Sequence, residues 1–180
     1  RKIKQIKIVS QTESSEIWRS IDEESNEKYI QVILKTKFSS ELQTKLEYAS
    51  KINYCSLLPI ASFDLFLNDS NGNEDSSIYY TDLDGKTIAE LIQSKEEKNK
   101  INSLHRFFIV NGLISALLFF QLEDIDPGPL TENDIFIVDG KPKIINYSIN
   151  QQINNNPFQS IANIIKLVCI DTFDESLTNS

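Results

Sequence analysis

Methionine is absent from the chain, histidine and tryptophan occur once each, and 180 residues include only two cysteines, five glycines and five prolines. Two cysteines and one histidine leave no disulfide framework and no Cys/His metal spacing. Cys55 and Cys169 are expected to be small buried apolar residues. Cations are outnumbered: 18 Lys and Arg against 26 Asp and Glu give a formal net charge of −8. Such a surface repels phosphate, which disfavours a general nucleic-acid binder. No run reaches the roughly 18–20 apolar residues that a membrane-spanning helix needs. The nearest, Phe107 to Leu122, is interrupted by Asn111, Gly112, Ser115 and Gln121. It reads as a buried helix with Phe107, Phe108, Phe119 and Phe120 in the core. No signal peptide is visible, so a reducing, cytoplasmic setting without a membrane partner is expected. A start at Arg1 with no Met anywhere reads as a fragment of a longer protein.

What is present is ordinary globular composition, 40% apolar and 24% charged. At this length folding removes roughly 70% of the unfolded chain's surface from water. Apolar runs at Ile3–Val9, Ile17–Ile21 and Tyr29–Leu34, separated by polar loops, predict three strands joined as hairpins. In that reading Trp18 packs on a strand, and Asp22-Glu23-Glu24 is a solvated turn. Phe38, Leu42, Leu46, Ala49 and Ile52 recur at helical spacing behind Ser39 and Ser40 as N-caps, with Glu41 in the first turn. Leu57–Phe66 predicts a fourth strand, residues 68–77 a solvated loop, and Ile78–Tyr80 a fifth strand.

Thr87 then precedes a short helix, Ile88–Ile92. Ser94–Lys100 is charged and expected to be exposed. A long apolar helix over about His105–Gln121, with His105 at the surface, ends before Pro127-Gly128-Pro129. Ile135–Val138 and Pro142–Ile145, joined by Asp139-Gly140, form a hairpin. After an Asn-rich loop comes a last helix, about Phe158–Ile170. The class is α+β: a five-stranded antiparallel sheet with one inserted helix, then a mainly helical half with a small hairpin.

In this order the segments resemble a protein kinase domain. Residues 78–92 look like a kinase hinge and the helix after it. Lys51–Leu58 resembles the stretch after the regulatory helix, and Leu130–Ile137 the end of a catalytic loop. The resemblance implies a bilobal fold, with an N-lobe over 1–83 and a truncated C-lobe over 84–180. The stretch between Ile149 and the helix around Ile161 is shorter than an activation segment normally needs.

Every position where kinase chemistry happens departs from the pattern. The phosphate-loop glycines, which let backbone amides approach the phosphates, fall on Ser10, Thr12 and Ser15, beside the repelling Glu13 and Glu16. The strand-three lysine falls on Val32. Lys35, three residues on, lies on the opposite strand face. The glutamate that pairs with that lysine falls on Lys45, a charge reversal. The catalytic base falls on Pro129, which has no titratable group. The metal-binding asparagine falls on Asp134, and the aspartate of the Asp-Phe-Gly triplet falls on Asn146, which carries no charge for a hard cation. The gatekeeper falls on the bulky Tyr80. Losing these groups together removes most of the electrostatic stabilisation that phosphoryl transfer needs.

The expectation is therefore a catalytically inactive pseudokinase with no cofactor and no metal. Lys143-Ile144-Ile145-Asn146-Tyr147-Ser148-Ile149 is further similar to the degenerate domain of the general-control, amino-acid-starvation kinase of translation initiation factor 2. That resemblance implies a regulatory module whose partner is an adjacent true kinase domain, in cis or across a dimer, and a homodimer is among the expected arrangements. Two other readings remain open. One is a divergent nucleotide-binding phosphotransferase using Lys35, Lys45 and Asp134 in rearranged roles. The other is a free-standing pseudokinase scaffold unrelated to translation.

Overall fold

The computed structural model describes residues 2–35, 39–65, 76–93, 95–147 and 156–169. Its first part is a five-stranded antiparallel sheet in the order β1-β2-β3-β5-β4, formed by β1 (Ile3–Gln11), β2 (Ser15–Asp22), β3 (Lys28–Leu34), β4 (Ile60–Asp64) and β5 (Ser76–Thr81). Helix α1 (Ser40–Ala49) lies between β3 and β4 in the chain. Strand alternation sets the two faces. Ile30, Val32 and Leu34, with Ile17, Ile78 and Tyr80 of neighbouring strands, turn into the core. The other face carries a buried polar chain across three strands: Ser20 Oγ donates to Gln31 Oε1 at 2.9 Å, and Gln31 Nε2 donates to Ser77 Oγ at 3.1 Å. Edge strand β1 carries two register irregularities and Lys2, Lys4 and Lys7 along or beside it, features that blunt an edge against further pairing.

Helix α1 starts where Ser39, in extended conformation, accepts a hydrogen bond from the Leu42 amide. Leu42, Leu46 and Ala49 line its buried face. The remaining chain forms a three-stranded sheet, β6 (Lys86–Thr87), β7 (Ile135–Val138) and β8 (Lys141–Ile144), in that order, with helices α2 (Ile88–Ile92), α3 (Lys95–Asn99), α4 (Ser103–Leu122) and α5 (Pro157–Cys169). Thr87 and Glu90 make a full capping box at the start of α2. The β7–β8 hairpin turns through Asp139 at φ 50° and Gly140 at φ 75°, the paired left-handed conformations that an Asp-Gly turn supplies. Ile109, Leu113, Ala116 and Phe120 of α4 and Ile161, Ile164 and Val168 of α5 join the inner sheet face in one contiguous core.

Several expectations need correction. Cys55 and Cys169 are both exposed, because one lies in a turn and the other ends α5 with its side chain outward. Phe120 is buried and Phe119 half-buried, but Phe107 and Phe108 are exposed on the far side of α4. By length and composition α4 is long and apolar enough to cross a membrane, and one of its faces belongs to the core. The charged segment after α2 forms the short helix α3, and Glu96, Asn99 and Lys100 are exposed, as expected. Asp22 is buried, because its Oδ1 accepts the Glu24 amide and closes the turn. The fourth strand begins at Ile60, since Leu57 and Leu58 pair with Ile144 instead. The fifth strand begins at Ser76 rather than Ile78, so Ser76 and Ser77, expected in a solvated loop, are buried in the sheet, while Phe38 and residues 68–75 lie outside the described residues.

Candidate functional site

The β7–β8 hairpin fixes the centre of the site. It sets Ile135 opposite Ile144, so the residues just outside that pair, Asp134 and Asn146, come together. The Ile145 amide donates to the Asp134 carbonyl at 2.9 Å, and Asn146 Nδ2 donates to Asp134 Oδ1 at 2.6 Å. The other carboxylate oxygen of Asp134 accepts from the Thr131 amide at 2.8 Å and from Thr131 Oγ1 at 2.7 Å. Asn146 adopts φ 60°, a left-handed conformation that asparagine tolerates better than most residues. This turns its backbone N–H towards β5, where it donates to the Tyr80 hydroxyl at 3.1 Å. Tyr80, Asp134 and Asn146 are all buried, and Asn146 Oδ1 has no partner among the described residues.

Burial dominates the electrostatics here. It raises the Asp134 carboxyl above the usual carboxylate range, against the lowering effect of Thr131 and Asn146. Burial likewise raises the Tyr80 hydroxyl well above the ordinary tyrosine value, and neighbouring Tyr147 is pushed up to about 12. Both phenols are neutral hydrogen-bonding groups at physiological pH.

A second cluster closes the opposite end of the same junction. Arg19 is on β2, two residues from core-facing Ile17, and lies on the same strand face. Its Nη1 donates to both carboxylate oxygens of Asp82, at 3.1 and 2.9 Å, and its Nη2 donates to the Gly85 carbonyl. The guanidinium sits 5.7 Å from the centre of the Phe136 ring on β7. Glu90 lies 3.7 Å from Arg19 Nη2 and 2.9 Å from Lys7 Nζ, while its Oε2 accepts from the Thr87 amide at 3.0 Å. One carboxylate thus caps α2 and receives cations from β1 and β2. Burial alone would raise the Glu90 carboxyl, but Thr87 and Lys7 outweigh it and leave it low.

A third junction runs through the segment after α1. The Leu58 amide donates to the Ile144 carbonyl at 2.9 Å, and the Ile144 amide donates to the Ser56 carbonyl at 2.8 Å. Tyr54 stacks on Phe119 at 4.2 Å and its hydroxyl donates to the Ser115 carbonyl. The five-stranded sheet and the helical half are therefore tied by backbone pairing, by a buried phenol–amide–carboxylate cluster and by ion pairs.

The other singled-out residues lie away from this centre. The Ser10, Thr12, Ser15 turn is stitched to itself: the Thr12 amide donates to the Ser15 carbonyl at 2.8 Å, and the Ser15 amide donates to Thr12 Oγ1 at 3.0 Å. Those two amides are not offered to an anion. Val32 is fully buried in the core. Lys35, on the opposite face, pairs with Glu16 at 2.9 Å, and this hydrogen bond holds the Glu16 carboxyl low. Lys45 pairs with Glu41 one turn earlier on α1, at 2.9 Å. Pro129 is half-buried just after Gly128, which has φ 66°.

Of the residues that the kinase resemblance singles out, Tyr80, Asp134 and Asn146 converge, and Ser10, Thr12, Ser15, Lys35 and Lys45 do not join them. Sequence reasoning missed Lys7, Arg19, Asp82, Glu90 and Thr131. Arg19 carried a signal, as a cation on the same strand face as Ile17 and Ile21. Thr87-x-x-Glu90 carried another, as a capping-box spacing. The chain matches no protein-family model and no curated protein.

Proposed function

We propose that this chain is a pseudokinase module: a protein kinase-like fold that does not transfer phosphate and works through its surface on a partner protein. The carrying observation is the convergence of Tyr80, Asp134 and Asn146. They are the gatekeeper, the metal-asparagine position and the metal-aspartate position of the kinase pattern, and they meet in one buried cluster with their polar groups turned on one another. The architecture supports the same reading, because a five-stranded antiparallel sheet carries one helix between its third and fourth strands, and helices with a small hairpin follow.

In this reading the nucleotide cleft lies beside Tyr80 and the connecting residues 82–85. Arg19 lies against those residues, bonded to Asp82 and Gly85 and seated over Phe136. The kinase pattern has asparagine at position 134 and aspartate at 146. Here the two types are exchanged, and the resulting pair hydrogen-bonds to itself. The phosphotransferase alternative needs Lys35, Lys45 and Asp134 to cooperate. The ion pairs of Lys35 with Glu16 and of Lys45 with Glu41 argue against it.

The partner we propose is a true kinase domain of a starvation-responsive translation initiation factor 2 kinase, in cis or across a dimer. The module would bind one state of that domain better than another and so shift its population. The test is direct. The chain is added to the catalytic domain of such a kinase, and phosphorylation of the factor is followed over a concentration series. A saturable change in rate, in either direction, is expected. An unchanged rate with no measurable binding counts against the partner and leaves a free-standing scaffold as the remaining form of the reading.

A further inference from the structure

Helix α4 is apolar on two sides. Ile109, Leu113, Ala116 and Phe120 face the core, while Leu104, Phe107, Phe108, Ile114, Leu118 and Leu122 form a stripe about 120° wide on the opposite side and remain exposed, up to 84% at Leu122. With roughly 200 Å² for a whole side chain of this size, their exposed fractions amount to about 700 Å². Monomers rarely leave apolar patches larger than roughly 300–600 Å², and a standard protein interface takes about 800 Å² from each partner. The stripe contains no charged residue, although the chain as a whole carries a formal net charge of −8.

We infer that this stripe binds the same stripe of a second copy, with the two α4 helices antiparallel about a two-fold axis that passes the exposed side of the helix midway between Asn111 and Ser115. The spacing is self-complementary about that point. Leu104 then faces Leu122 of the second copy, Phe108 faces Leu118, and Asn111 faces Ser115, so apolar residues meet apolar ones and the central polar residues meet each other. A polar pair in an apolar seam fixes register. The charges agree with the antiparallel sense. Glu123 and Asp124, which follow α4, come to the positive N-terminal end of the other helix, whereas a parallel pair would set them against their own copies. This surface goes beyond the pseudokinase reading and stands apart from the nucleotide cleft, so either can fail without the other.

Sedimentation equilibrium of the chain from about 1 to about 100 µM tests the association. A monomer–dimer equilibrium is expected, and Leu118→Glu should abolish it while leaving the circular dichroism spectrum and thermal midpoint unchanged, since Leu118 is half exposed in the single chain. A chain that stays monomeric throughout overturns the inference, as does a dimer that Leu118→Glu leaves intact. A second arm reads the geometry. In a Cys55→Ser/Cys169→Ser background, Leu104→Cys combined with Leu122→Cys should cross-link to doubled mass on mild oxidation. Within one helix these positions are about 27 Å apart and cannot bridge. Cross-linking of Leu104→Cys alone, as fast as the pair, overturns the antiparallel arrangement. Binding to neutral phosphatidylcholine vesicles that Leu118→Glu abolishes, with no dimer in solution, overturns it in favour of a membrane surface.

Discussion

Asp134 is a carboxyl held by three donors in a place where water does not compensate its charge, and its proton is retained to higher pH in the folded chain than in the unfolded one. Its contribution to stability is therefore fullest below the ordinary carboxylate range and is lost as pH rises through the raised value. Asp134→Asn removes that dependence. The thermal midpoint of the variant minus that of the native chain should rise from about pH 4 to about pH 8, and parallel curves would contradict the burial argument. Arg19 gives a second residue-scale test. Arg19→Leu leaves Asp82, whose side chain is 5% exposed, without its counter-charge. A loss of about 3 kcal/mol in urea unfolding is expected. Removing Asp82 as well, as Arg19→Leu/Asp82→Leu, should cost less than the two single changes added together, because the variants share one interaction.

At the scale of elements, legibility in the sequence followed how local the deciding force was. The capping box of α2, the Ser39 cap of α1 and the Asp139-Gly140 turn are set by residues within four positions of one another, and all three are readable as motifs. The exposed side of α4 was not, because a helix apolar all round has no periodic signal to say which face is covered. The start of β4 was lost because Leu57 and Leu58 pair with Ile144, a partner far along the chain. The site divides in the same way. Tyr80, Asp134 and Asn146 were found as positions in a resemblance, whereas Arg19, Asp82 and Glu90 act together only once β2, the connecting residues and α2 are folded against each other. Gly112 tests the packing of α4. Alanine is the better helix former by about 1 kcal/mol, but a Cβ there would sit 2.5 Å from Pro142 Cγ on β8. Gly112→Ala should therefore destabilise by about 1–2 kcal/mol in chemical denaturation, and a stabilised variant would mean that β8 gives way freely.

For the whole molecule, the three junctions act in parallel. Backbone pairing at Ser56–Leu58, the Tyr80–Asn146–Asp134 cluster and the Arg19–Asp82–Glu90–Lys7 ion pairs join the sheet to the helical half along its length. Opening the space between them would break the Tyr80–Asn146 hydrogen bond and part Arg19 and Lys7 from Glu90 together, at a cost that an incoming nucleotide would have to offset. The measurement that tests this most directly is a calorimetric and thermal-shift titration with ATP, with and without magnesium or manganese. The closed junction predicts no heat of binding and no rise in the thermal midpoint at millimolar nucleotide under either condition. A clear metal-dependent rise, which mass action requires of any ligand that binds the folded state, would mean that Arg19 and Asn146 yield to nucleotide and that the proposed cleft is in use.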